Sequence, residues 1–238
     1  MIMLSTSLDS SLHHQEDHWI PLSDLMTGLM MFFLLLAISY MVKVEATTEQ
    51  IKQIAVHYKQ IRAELYTDLA QEFEKDLDKW GAELDMDLTI RFKEPDVLFG
   101  SGSSELKHKF KLILNDFFPR YVAILNLDKY KSSIQEIRIE GHTSSLWNNT
   151  NSMDDAYYSN MELSQTRTRS TLQYILSLSQ IQNEKIWLKS LLTANGLSSS
   201  KLIVDKNGVE NLALSRRVEF KVKTDAELKL AGILKVIK

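Results

Sequence analysis

The chain has 238 residues, a formal net charge of -3 and no cysteine. That length holds one good-sized domain with additional segments. The composition excludes disulfides, thiolate chemistry and cysteine-built zinc sites, and it lacks the basic stripe of a nucleic-acid binder.

Residues 1–18 are polar, with Asp9, Glu16 and Asp17 and no Lys or Arg, and read as a short N-terminal tail. Residues 19–43 follow, and Leu25 to Val42 is a run of eighteen residues without a charge. As a helix those eighteen rise about 27 Å, and with Ile20 to Ser23 they suffice to cross a hydrocarbon core of about 30 Å. A cleaved signal peptide needs a basic n-region and a small-residue cleavage site, and neither is present. A buried soluble helix is disfavoured because M-M-F-F-L-L-L-A-I is apolar on every face. The reading is one uncleaved transmembrane helix.

Residues 44–86 carry apolar side chains at Ile51, Ile54, Tyr58, Ile61, Leu65, Leu69, Phe73, Leu77, Trp80 and Leu84, every step three or four. This is the stripe of a long amphipathic helix. Two arrangements use such a stripe: a helix packed on its own domain, or a coiled-coil stalk that pairs two copies. Continuity with the span favours the stalk.

Residues 87–224 read as one α/β (α+β) domain, with a mixed sheet and helices on one face. Strand alternation marks Asp87 to Lys93 (Leu88, Ile90 and Phe92 on one side), Ile134 to Glu140, and Arg217 to Val222 (Val218, Phe220 and Val222 on one side). Helical spacing marks Glu105 to Asn126, bent or split at Pro119, and Met161 to Leu178. Ile186 to Thr193 is apolar and fits helix or strand. Residues 225–238 form a C-terminal extension, in which Leu228 to Ile237 fits one more short helix.

Two constellations carry chemistry. The first is Asp24, at the entrance of the span. An acid there either caps the helix N-terminus or serves ion movement, and the residues alone leave these nearly balanced. Three details favour ion movement. Pro21 suits the first helical turn, which places Asp24 inside the helix. Trp19 marks the interface, so Asp24 lies roughly 7 Å deeper. Thr27 and Gly28 share its face and allow close packing with a hydrogen bond nearby. The second constellation is L-F-G-S-G-S-S-E-L (98–106), I-E-G-H-T-S-S (139–145), N-M-E-L-S-Q-T-R (160–167) and L-S-R-R-V-E-F (214–220). Its glycines give turns after strands, and Arg167 presents a fork suited to a carboxylate. No nucleophile–base pair or metal cluster is evident, and G-S-G-S lacks the Lys of a phosphate loop, so an enzyme is not expected.

In this order, the second constellation resembles the OmpA-like peptidoglycan-binding domain. The span W-I-x-x-x-D-L-M-T-G-L-M-M-F-F-L resembles that of MotB-type stator subunits. Within that group the chain is most similar to the stator family of the Zorya anti-phage systems. The resemblance implies a bacterial inner-membrane protein with a cytoplasmic N-terminus and a periplasmic domain. It implies a homodimer inside a pentamer of a multi-span MotA-like (ZorA-like) partner, with Asp24 and Thr27 passing ions. The expected ion is H⁺, with Na⁺ the alternative, and no cofactor is expected. A flagellar or gliding stator, and a passive wall tether, are the competing functions. The resemblance further implies that Thr143, Ser144, Ser159, Asn160, Leu163, Arg167 and Arg217 contact peptidoglycan. In the family an Asp after E-G-H-T and the Arg of L-S-x-x-R clamp a diaminopimelate group. Here Ser144 stands in place of that Asp, in a loop from Gly141 to Asn160 that is longer than usual and carries Asp154 and Asp155 as candidate replacements.

Overall fold

The computed structural model describes residues 19–93, 98–147 and 152–225. The N-terminal tail, the extension beyond Asp225 with its expected short helix, and residues 94–97 and 148–151 lie outside the described residues. The chain forms two compact units, whose described parts are Trp19–Gln53 and Ile54–Asp225.

The first unit is helical throughout, as the beginning of α1 (Trp19–Trp80). Every residue from Leu25 to Val42 is exposed, and the helix is long and apolar enough to cross a membrane. Apolar side chains on all faces with no protein against them suit a hydrocarbon solvent.

In the second unit α1 continues to Trp80, followed by β1 (Ala82–Leu84), β2 (Thr89–Phe92), α2 (His108–Leu125), the short α3 (Asp128–Lys131) and β3 (Ile134–His142). Then come α4 (Met153–Ser177), α5 (Lys185–Leu191), β4 (Leu192–Gly196), the one-turn α6 (Leu212–Ser215) and β5 (Arg217–Thr224). The five strands lie in the order β1-β2-β5-β3-β4. All pairs are antiparallel except β3 with β4, which α4 and α5 connect as a crossover. This is the mixed sheet read from the sequence.

One sheet face is apolar. Ile90, Phe92, Ile137, Ile139, Val218, Phe220 and Val222 are buried there beneath the helices. Phe117 of α2 is the centre of the core, its ring 5.1 Å from Phe92, 5.2 Å from Phe220 and 5.4 Å from Phe73.

The second half of α1 belongs to this core. Ile61, Leu65, Leu69, Phe73 and Trp80 are buried in it, and Arg120 of α2 holds Glu72 at 2.7 Å and Asp76 at 3.0 Å. The stripe assigned to a stalk over 44–86 therefore serves the chain's own domain from Ile61 onward, because the sheet and α2 leave an apolar face against which α1 packs. The helix ends at Trp80, where Gly81 takes a φ of 62°, and β1 follows inside the segment read as helix.

One further boundary differs from the sequence reading, and two open readings are narrowed. Pro119 does not split α2, which is one continuous helix. The helix read from Met161 begins at Met153, capped by the Ser152 hydroxyl, which accepts from the Asp155 N–H at 3.3 Å. Its first two turns are polar and carry no apolar period. The ambiguous Ile186 to Thr193 divides between α5 and β4, its last two residues starting the strand.

Candidate functional site

In the first unit Asp24 is the sixth residue of α1, beyond the first turn, so it does not cap the helix. The turn around it is closed by side chains: Ser23 Oγ donates to the Trp19 carbonyl at 2.9 Å, and Thr27 Oγ1 to the Ser23 carbonyl at 2.8 Å. Asp24 is exposed and is the sole charged residue from Trp19 to Val42.

In the second unit the motif residues meet at one end of the sheet, where the parallel pair β3 and β4 passes under α4. Two glycines permit this. A Cβ on Gly141 would meet Thr168 and the Ser164 carbonyl, and one on Gly196 would strike the backbone of Ser164 and Gln165. Gly141 and Gly196 are partners across the strands, so α4 rests directly on the sheet.

The loop after β3 is held on three sides. The Thr143 N–H donates to the Ser198 carbonyl at 2.9 Å. Asn160 is buried, and its Nδ2 donates to the Leu146 carbonyl at 3.2 Å. Ser198, at a φ of 51°, donates its N–H to Ser164 Oγ and its hydroxyl to the Tyr157 carbonyl. Thr143 and Ser144 are buried, while Ser159 and Leu163 are half-buried on the adjoining face of α4.

Arg167 lies two turns further along α4 than Asn160. Its Nε donates to the Ser103 carbonyl at 2.8 Å and its Nη2 to the Gly100 carbonyl at 3.0 Å. Its guanidinium stacks on Phe99, 4.9 Å from the ring centre. The G-S-G-S turn, closed by the Phe99–Leu106 bridge and with Gly102 at a φ of 63°, thus fixes the plane of this guanidinium. Arg167, Gly141, His142 and Ser164 border a narrow cleft.

The carboxylate that sequence reasoning missed is Glu210. It sits on a hairpin in which Val204 bridges to Glu210. Its Oε1 accepts the Ser145 N–H at 3.1 Å and its Oε2 the Ser145 hydroxyl at 2.5 Å. A negative group is therefore bonded to Ser145, the residue after Ser144, from 65 residues downstream. Asp154 and Asp155 are exposed in the first turn of α4, where acids favour the helix N-terminus.

Arg217, expected among the ligand residues, borders the same cleft as Arg167. The structure gives the Arg217 guanidinium to Glu219 at 2.6 Å and to the Lys201 and Ser215 carbonyls. It is one end of an ion network on the sheet face opposite the core. Arg91 binds Glu219 at 2.8 Å, Lys221 bridges Glu219 and Glu140 at 2.8 Å each, and Arg138 links Glu140 to Glu136. Burial alone would raise the Glu140 carboxyl, but His142, Lys221 and Arg138 outweigh it and bring it to about 2. Glu219 is likewise held far below the usual carboxylate range by His142, Lys221, Arg217 and Arg91, against its burial. Glu140, His142 and Glu219 lie close enough to hold a cation. The Lys221 ammonium already occupies the space between the two carboxylates, and three guanidinium groups around them oppose a further positive charge.

No family model matches the chain. The Zorya protein ZorB of Escherichia coli is 51% identical over 220 residues, covering 92% of this chain and 93% of that protein. Among solved structures, a MotB-like protein from Desulfovibrio vulgaris has 23% identity and a TM-score of 0.45, over 75% of this chain and 98% of that one. The cell wall anchor of the T6SS from Pseudomonas aeruginosa has 21% identity and a TM-score of 0.46, over 66% and 96%. The periplasmic domain of Helicobacter pylori MotB has 17% identity and a TM-score of 0.41, over 61% and 83%.

Proposed function

The chain belongs to the family of the Zorya protein ZorB, and from that premise we propose that it is the stator subunit of an ion-driven motor in the bacterial inner membrane, acting in anti-phage defence. The N-terminus is cytoplasmic and the second unit periplasmic. Two copies stand inside a pentamer of a MotA-like subunit, and ions pass Asp24 with Thr27 beside it.

The observation that carries this reading is the position of Asp24: the sole charged residue of an all-round apolar stretch, inside the helix rather than at its cap. A carboxylate at that place in an otherwise apolar stretch is costly unless it serves the passage of an ion. The membrane potential supplies about 2.3 kcal/mol per charge per 100 mV to drive that passage. H⁺ is the proposed ion, and Na⁺ the alternative.

The second unit grips peptidoglycan, so that the partner has a fixed body to turn against. Asn160, Ser159 and Leu163 border the ligand, and Arg167 supplies positive charge to a stem-peptide carboxylate. Ser144 carries no charge, and we assign recognition of the ligand's ammonium to Glu210, held in place by Ser145. No chemical conversion is involved.

Asp24→Asn tests the motor. The side chain keeps its size and loses its proton exchange, so phage protection is expected to vanish while the protein stays in the membrane at normal levels. Protection that survives at normal levels would make the chain a passive wall tether.

A further inference from the structure

The dipeptide Asn-Gly occurs twice in the chain, at 195–196 and at 207–208. A glycine has no side chain to keep its backbone nitrogen away from the side-chain amide of the asparagine before it. The fold treats the two copies in opposite ways. Asn195 is half-buried in β4, and its Nδ2 donates to Thr193 Oγ1 at 3.2 Å. Gly196 is buried and pairs with Gly141, and a Cβ on it would strike the backbone of Ser164 and Gln165. Asn207 and Gly208 are both exposed. Nothing stands within 4 Å of where a Cβ on Gly208 would lie, and among the described residues none bonds the Asn207 side chain.

This second copy closes the hairpin that carries Glu210. The Asp205 carbonyl accepts the Gly208 N–H at 3.1 Å, and Asp205 Oδ1 accepts the N–H of Asn207 at 2.8 Å and of Val209 at 2.9 Å. Gly208 has a φ of 79°, the left-handed position of a short hairpin loop. Below the turn the Asp205 N–H donates to the Val209 carbonyl at 2.8 Å, Val204 bridges to Glu210, and the Asn211 N–H donates to the Ile203 carbonyl at 2.7 Å. The place of Glu210, and with it the grip on Ser145, is therefore set by this turn.

We propose that Asn207 is a modification site, which converts without an enzyme to isoaspartate and aspartate, and that the conversion releases the grip of Glu210 on Ser145. The Gly208 nitrogen, having lost its proton to hydroxide, bonds to Asn207 Cγ. The Cγ–Nδ2 bond breaks, and the amide nitrogen leaves as ammonia with protons from water. The cyclic imide then takes up water. Opening at Cγ leaves an aspartate on an unaltered main chain. Opening at the main-chain carbonyl carbon leaves an isoaspartate, whose main chain runs through Cβ and Cγ and is longer by a methylene. Water enters, ammonia departs, and nothing is oxidised or reduced. The lengthened turn cannot keep the bond from Gly208 to Asp205. Either product sets a new carboxylate against that of Asp205, where like charges repel. The ladder below the turn loosens, and Glu210 moves with it. Asn195 does not follow, because closing the ring would drive Gly196 against the backbone of α4. The consequence for a ligand rests on the assignment of Glu210 made above, whereas the conversion and the release are both read without any ligand.

Full-length protein in detergent is kept folded in mildly alkaline buffer, and its peptides are mapped by mass over time. Conversion at Asn207 is expected to run several-fold faster than at Asn195, and the two rates to converge in denaturant, where both dipeptides are free. Hydrogen exchange at the Ser145 amide, which Glu210 holds, is expected to be several-fold faster in converted protein than in fresh protein. Aged Asn207→Gln protein, whose longer side chain closes a ring far more slowly, should keep the fresh rate. Equal conversion at the two asparagines in the folded protein would overturn the proposal. So would a Ser145 amide whose exchange is the same before and after complete conversion.

Discussion

Glu219 and Phe220 are neighbours in β5, 1% and 0% exposed, and they are buried by opposite means. Phe220 faces the helices and meets the rings of Phe92, Phe117, Phe118 and Tyr121. Glu219 faces the other way and is closed over by Arg91, Arg217 and Lys221. One face of the sheet is sealed by dispersion and water exclusion, which tolerate repacking. The other is sealed by long cationic side chains laid over carboxylates, which requires every charge to keep its partner. The apolar face fixes where α4 and the motif residues stand. The charged face holds together the strand ends from which the motif loops depart.

The largest effect is expected from the apolar face. Phe220→Ala removes a ring from the middle of the cluster and should cost about 3–5 kcal/mol, read as a lower midpoint in denaturant at unchanged slope. Leu34→Ala, on the exposed apolar length of α1, should leave that transition of the domain where it is. Equal losses would mean that the two lengths of α1 share one packed core.

The charged face is broken by acid rather than by truncation. Glu140 is lowered from about 4.5 to about 2, and Glu219 and Glu136 are lowered as well. Groups with depressed folded-state values contribute stability that is complete above about 4.5 and disappears as pH falls through the folded value. Glu140 alone contributes on the order of 3 kcal/mol in this way. Denaturant midpoints should therefore hold steady above pH 5 and fall between pH 4.5 and 2. Glu140→Gln should start lower and show a shallower fall. A midpoint indifferent to pH across that window would mean that the network contributes nothing net.

The two faces were not equally legible in the sequence. Alternation exposed Val218, Phe220 and Val222 at once, whereas the glycine of E-G-H-T, read as a turn after a strand, lies inside β3 and serves the close approach of α4. The same alternation places Arg217, Glu219 and Lys221 opposite the core, but charged residues on a strand look the same whether solvated or locked to one another. Arg217 is expected among the ligand groups from the family resemblance, and its bonds to Glu219 and to two carbonyls show that it also holds the fold. β1 was hidden because Trp80 and Leu84 keep helical spacing across a turn that Gly81 alone betrays. The first two turns of α4 carry Asp, Tyr, Ser and Asn, and only the Ser152 cap announces them. Ile61 to Phe73 has the same period whether it pairs with a second copy or with its own sheet, and only the finished core decides.

Glu210 is a third kind of carboxylate, half-buried and held, among the described residues, by neither rings nor cations. Two hydrogen bonds from Ser145 grip it at the rim where the charged face ends, and no local pattern links residues 65 apart. Among the described residues its partners are neutral donors, unlike those of Glu140 and Glu219, and this difference is the basis for the proposal that it meets the ligand's ammonium. Glu210→Gln keeps the shape and an acceptor for the Ser145 N–H while removing the charge. Full-length protein in detergent should bind diaminopimelate-containing muropeptide about tenfold more weakly with this change, the loss of one charge-assisted hydrogen bond. Acetylating the distal amine of the ligand should weaken the unmodified protein by the same factor and the Glu210→Gln protein hardly at all. Binding by the unmodified protein that ignores acetylation would remove Glu210 from the site. Absence of muropeptide binding by the unmodified protein would remove the wall-binding role itself. Because a hairpin anchor has no means of sensing the ligand's charge, loss of discrimination in the variant separates recognition by Glu210 from mere support of the loop.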